Sequence, residues 1–81
     1  MGEVSRERRW EAKADENIAK WGLQEVDTLL LAIQEETGET ARAYLEATHE
    51  GGDSSRIREE LDDLAALCIQ LDRALDEESD E

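Results

Sequence analysis

Residues 55–75 read SRIREELDDLAALCIQLDRAL, and the spacing of their apolar positions decides the fold class. Ile57, Leu61, Leu64, Cys68, Leu71 and Leu75 recur at four, three, four, three and four, the period of one helix face and not the alternation of a strand. Upstream, over about residues 23–49, the same rhythm returns in Val26, Leu30, Ile33, Thr37, Thr40 and Tyr44. EGGDSS (50–55) separates the two segments, a loop in which Asp53, Ser54 or Ser55 can cap the next helix. A third segment, residues 4–21, sets Trp10, Ala14, Ile18 and Trp21 on one stripe and ends at Gly22, a C-terminal cap or bend.

Two long helices joined by a short loop predict an antiparallel hairpin at a shallow crossing angle, with the N-terminal helix added to it. No strand alternation and no internal repeat is present, so the fold class is all-α. Residues 1–76 read as one helical domain and DEESDE at the end as a solvated acidic tail, disordered over 77–81. A chain of 81 residues buries only about 60% of the surface that it exposes when unfolded. Its aromatic residues are Trp10, Trp21 and Tyr44 alone. Leu29, Leu67 and Ile69 lie outside the two seams and exceed what one hairpin can cover. A symmetric homo-oligomer of the four-helix-bundle type, a dimer or a tetramer, would cover them.

Composition narrows the function. Asp and Glu number 23 against nine Lys and Arg, for a formal net charge of −14. That balance argues against nucleic acid as a partner, because such affinity rests on basic groups neutralising phosphates. Seven Arg against two Lys, with so many carboxylates, fits a halophilic protein; at 1 M salt the Debye length falls to about 3 Å and self-repulsion is screened. The one cysteine, Cys68, excludes an internal disulfide and fits a reducing compartment. No apolar run is long enough to span a membrane, and MGEVSRERRW lacks a signal-peptide core. The expectation is a cytoplasmic protein without a membrane partner.

The carboxylates are placed unevenly. Glu36 shares the row Leu29, Ile33, Glu36, Thr40, Ala43 with apolar residues, and Glu39, three positions on, stands just off the seam. Like charges at that spacing repel. In the third segment Glu60 and Asp63 repeat the arrangement beside Leu61 and Leu64. At about 1.5 Å per residue the two pairs lie within little more than a turn of the same height above the loop. Four such groups converging between helices would take up protons or bind a hard cation, Mg²⁺ or Mn²⁺. In so acidic a chain, paired carboxylates also arise from composition alone, and Glu3, Glu7, Glu46 and Glu50 read as a solvated face.

Taken together, Glu35-Glu36-Thr37-Gly38-Glu39, twenty intervening residues, and Glu60-Leu61-Asp62-Asp63 resemble the paired motifs of the MazG-type, all-α nucleoside triphosphate pyrophosphatases. The resemblance covers about Leu29 to Leu71. It implies hydrolysis between the α and β phosphates of a nucleoside triphosphate, with Glu36, Glu39, Glu60 and Asp63 as Mg²⁺ ligands. Glu35 would then act in catalysis, by binding a second ion or orienting water. It also implies assembly into dimers or larger forms. The phosphoribosyl-ATP pyrophosphatases share the carboxylate pattern but resemble this chain less, since a Tyr-His pair usually follows their second motif where LAAL stands here.

The chain departs from the family by stopping soon after Leu75, where many members carry a further helix with substrate-binding Lys, Asn or Arg. Arg6, Arg8, Arg9, Lys13, Lys20, Arg42, Arg56 and Arg58 are then candidates to face phosphate, and also for ordinary ion pairs. Trp10, Trp21 and Tyr44 are candidates to stack a base or to fill the core, His49 has no ligand partner in sequence, and Cys68 on its seam reads as inert core. The competing function is a non-catalytic helical dimer that binds nucleotide or another partner. A di-iron bundle is weaker, because its Glu-x-x-His motif is absent.

Overall fold

The computed structural model describes residues 5–49, 51 and 53–79. It is all-α: α1 (Arg6–Trp21), α2 (Val26–His49) and α3 (Ser55–Ser79). Each boundary has a local cause. Ser5 caps α1 by accepting the Arg8 N–H at 3.2 Å, and Gly22, at φ +79°, closes it with an N–H bonded to the Ile18 carbonyl at 2.7 Å. That positive φ is open to glycine and strained for other residues. Leu23, Gln24 and Glu25 stay outside the helices, so α2 starts three residues later than its period suggested. The Asp53 carboxylate accepts the Ser55 N–H at 2.9 Å and starts α3; this bond from the Ser55 backbone holds the Asp53 carboxyl below its usual range. α3 runs on past Leu75 to Ser79, into the stretch expected to be a disordered tail, while Asp80 and Glu81 lie outside the described residues.

α3 is the central element. α2 packs on it along one side and α1 on another, and α1 and α2 do not touch. Pairing fixes the directions. Arg9 with Asp62 and Asp15 with Arg73 make α1 parallel to α3, whereas Glu46 with Arg56 makes α2 antiparallel. The hairpin expected from sequence is therefore present. The three helices form a flat body of 49 × 37 × 19 Å.

Its core is thin and made mostly of small residues: Ala14, Leu29, Ala43, Ala66 and Ala74, with Gln70 donating to the Ala66 carbonyl at 3.2 Å. This corrects the expected seams. Leu30 (51% exposed), Tyr44 (56%), Leu61 (37%), Leu75 (48%) and Trp21 (62%) face outward, as do Thr37 and Cys68. α2 turns the row Leu29, Ile33, Glu36, Thr40, Ala43 to α3, and α3 answers with Ala66, Gln70 and Ala74. Each helix has two apolar stripes and one chain covers only one of them. The alanine stripes allow the closer approach and become the inner ones. Trp21 lies at the end of α1, with the Lys20 ammonium 4.8 Å from its ring centroid.

Because Ala66 is fully buried, Ala66→Leu should force α2 and α1 away from α3 and lower stability by about 1–3 kcal/mol. Thermal unfolding followed by helix dichroism measures this; an unchanged midpoint would show that the α3 packing differs.

Candidate metal centre

Glu36 enters the space between α2 and α3 because it sits in the inner row, between Ile33 and Thr40. α3 supplies Glu60 and Asp63, one turn apart on the side facing α2. One carboxylate oxygen from each of the three lies within 4.8 Å of the others. The two motifs, twenty residues apart in sequence, therefore meet in space. Glu39 is exposed and outside this trio, although its charge still bears on Glu36. Glu35 is exposed and not part of the cluster.

Electrostatics at Glu36 are severe. Its Oε2 is sealed from solvent and has no hydrogen-bond donor. Burial is the largest cause that raises its pKa to about 8, followed by a hydrogen bond with Glu60 and the charges of Glu60, Glu39 and Asp63. Two ionised carboxylates cannot bond to each other; a proton on Glu36 supplies the missing donor. The metal-free cluster is thus held by one proton and by the cations around it.

Those cations come from both sides. Lys13 of α1 lies 2.8 Å from Asp63 Oδ1, and Arg56 of α3 lies 3.5 Å from Glu60 Oε2 and 3.7 Å from Glu46. The bond to Asp63 raises the Lys13 pKa. Beside them Asp62 accepts the Trp10 indole N–H at 2.8 Å and the Arg9 guanidinium at 3.1 Å. Burial opposes the Asp62 charge, but these two bonds outweigh it and hold the carboxyl below its usual range. Sequence reasoning named Asp62 only as part of a motif and left its partners unseen. Trp10 at the start of a stripe read as a core or stacking residue, and nothing in the spacing of α1 pointed to a carboxylate 52 positions away.

Lys13, Arg9 and Arg56 are thus committed to carboxylates, as is Arg42, at 3.5 Å from Glu46. The open groove lined by Glu7, Trp10, Glu11, Ile69, Asp72 and Arg73 lies between α1 and α3, away from the trio. No helix among the described residues is long and apolar enough to cross a membrane. Comparison with protein-family models, curated proteins and solved structures yields no significant match.

A raised carboxyl pKa has a defined sign in stability. Between pH 4.5 and about 8 the folded chain holds a proton on Glu36 that the unfolded chain has released. The associated stability is complete below 4.5 and is lost as pH rises through about 8. The Asp53 and Asp62 shifts act below 3.8 and that of Lys13 above 10.5, outside this window. In chelator, urea unfolding should give falling stability from pH 5 to pH 9, and Glu36→Gln, which keeps a donor at every pH, should flatten that fall. Equal slopes in the two proteins would place the proton elsewhere.

Proposed function

We propose that this chain is a metal-dependent nucleoside triphosphate pyrophosphohydrolase, cleaving a (deoxy)nucleotide between its α and β phosphates to leave the monophosphate and pyrophosphate. The observation that carries the reading is the meeting of Glu36, Glu60 and Asp63 within 4.8 Å across α2 and α3, with a sealed carboxylate oxygen that lacks a donor. Three oxygen ligands, rich in charge and free of sulfur or imidazole, fit Mg²⁺ or Mn²⁺. Such an ion, when bound, offsets phosphate charge and lowers the pKa of water. Resemblance of the paired motifs to the MazG-type pyrophosphatases supplies the reaction class.

The chain's own residues have distinct tasks in this reading. Glu36, Glu60 and Asp63 hold the cation, and Glu39, at the exposed edge, adds negative charge or a fourth ligand from α2. Glu35 remains a candidate to orient water, although its exposed position outside the trio does not itself support that. Lys13 and Arg56 keep Asp63 and Glu60 in place while no cation is there. They are also the basic groups nearest to where phosphate would stand. Surplus or non-standard nucleotides are the substrate class that suits such an enzyme, and self-association as a dimer or tetramer completes the reading.

A second reading has its own observation. The open groove at Trp10 does not reach the trio, which favours a non-catalytic helical module that binds nucleotide or a partner away from the carboxylates. Pyrophosphate release separates the two. With Mg²⁺ or Mn²⁺ at high salt, wild-type protein should release pyrophosphate from at least one member of a nucleotide panel. Glu60→Gln and Glu39→Gln should each lower the rate, Glu60→Gln by on the order of a hundredfold, the upper end of what even indirect disturbance of a metal site does. No release from any nucleotide would leave the module as the better account.

A further inference from the structure

The side of α2 turned away from Glu36 carries no charge along most of the helix. Between Leu30 and Thr48 it presents Leu30, Leu31, Gln34, Thr37, Gly38, Ala41, Tyr44, Leu45 and Thr48, all of them exposed. In a chain with 40% charged residues, a solvated face of this length would be expected to carry several. Thr37 and Thr48 spend their hydroxyls on the carbonyls of Ile33 and Tyr44, each at 2.8 Å, and so turn methyl groups outward.

We infer that this face binds a second copy of the chain, with the two α2 helices crossing antiparallel at Gly38. Three features select that occupant. The face is self-complementary about Gly38: Leu31 and Leu45 stand seven residues to either side, as Leu30 and Tyr44 do about Thr37. A two-fold axis at the crossing brings Leu31 onto Leu45 of the partner subunit and Leu30 onto Tyr44 of the partner subunit. Gly38 is the residue that such a crossing needs. A Cβ there would meet nothing within 4 Å in the single chain, so the chain's own packing gives no reason for a glycine that costs a helix about 1 kcal/mol. A crossing helix gives one.

Charge supplies the third feature. Glu35 and Arg42 flank one edge of the face, three residues before Gly38 and four after it. In an antiparallel pair Glu35 meets Arg42 of the partner subunit, twice by symmetry, Arg42 exchanging its exposed pair with Glu46 of its own chain; in a parallel pair both would face the partner's opposite edge, at Leu30, Thr37 and Tyr44, where no charge stands. The area is sufficient. The chain exposes 6049 Å², whereas a compact monomer of 9.2 kDa should expose about 4,900 Å². The excess is larger than the roughly 800 Å² that each partner contributes to a standard interface. The inference deepens the self-association in the proposed function and is independent of the candidate metal centre, which lies on the opposite side of α2.

Sedimentation equilibrium of the full chain tests it, with wild type and Gly38→Gln compared at high salt and the charge variants compared at low salt, where surface charges are not screened. Wild type should weigh twice 9.2 kDa. Gly38→Gln should keep its helix content and dissociate. Glu35→Arg and Arg42→Glu should each weaken the dimer by about tenfold or more, two attractive pairs having become repulsive. An equimolar mixture of those two variants should recover the dimer, since each then offers what the other lacks, and the double variant should recover it alone. A merely misfolded variant would not be rescued by mixing. A monomeric wild type would overturn both this inference and the self-association of the proposed function. A dimer indifferent to Gly38→Gln and to the charge changes, but lost in Leu61→Gln, would use the α3 row and overturn the inference alone.

Discussion

The close approach of α2 and α3 governs everything else in the molecule. Ala43 on one helix and Ala66 and Ala74 on the other are buried, and among the described residues Leu29 is the one large side chain wholly sealed. Alanine at a helix contact shortens the distance between axes and leaves little volume for other side chains. Glu36 lies in the row that makes this contact. Its Oε2 is sealed from solvent, and its carboxyl meets Glu60 and Asp63. A leucine seam of the kind the spacing first suggests would have kept the helices further apart. Glu36 would then have had room for water, and nothing would distinguish it from the other acidic residues.

α1 completes the arrangement from the far side of α3. It does not touch α2, and its links to α3 are mostly polar: Arg9 and Trp10 to Asp62, Lys13 to Asp63, Asp15 to Arg73. Exposed ion pairs of this kind contribute little stability each, so they fix where α1 docks, while the burial of Ala14 contributes more to holding it there. The consequence is local to the carboxylates. Lys13 sits on a candidate metal ligand, and a cation arriving at Asp63 would compete with an ammonium already in place. The outer acidic surface and the inner trio therefore differ in kind: one is solvated, while the other is neutralised by a proton on Glu36 and by Lys13 and Arg56.

Much of the fold was legible because its signals are local. Helical period, Gly22 and Asp53 each act within a few residues: Gly22 closes α1 and Asp53 starts α3 as the spacing suggests, while α2 begins three residues later than its period and α3 runs on to Ser79. The choice of stripe was not legible. Leu30 and Leu29 differ by one position, and hydrophobicity alone favours the stripe with Val26 and Tyr44 over the one with Glu36. The inner row is selected instead by what small residues permit, and that depends on α3. The site was half legible for the same reason. Glu36, Glu60 and Asp63 were found from paired spacing on adjacent helices, since a common height above a short loop can be counted. The exposure of Glu39 follows from the rotation of α2, and the bond from Trp10 to Asp62 from the docking of α1. Neither leaves a trace in local sequence.

The exposed leucines acquire a meaning from this rotation. Once the row of Leu29 and Ala43 is turned toward α3, Leu30, Leu31, Tyr44 and Leu45 face outward, which leaves α2 with apolar residues on two sides, one of them uncovered in the single chain. α2 then separates two demands on its sequence. Toward α3 it carries Leu29, Ile33, Ala43 and the half-buried Glu36 carboxyl; away from α3 it carries leucines, threonine methyl groups, a glycine and no charge from Leu30 to Thr48. Acidity is needed for solubility in so small a chain, and it is confined to the positions between these faces. Glu35 and Arg42 stand at the edge of the outer face, three residues before Gly38 and four after it, so that charge borders the apolar strip without entering it.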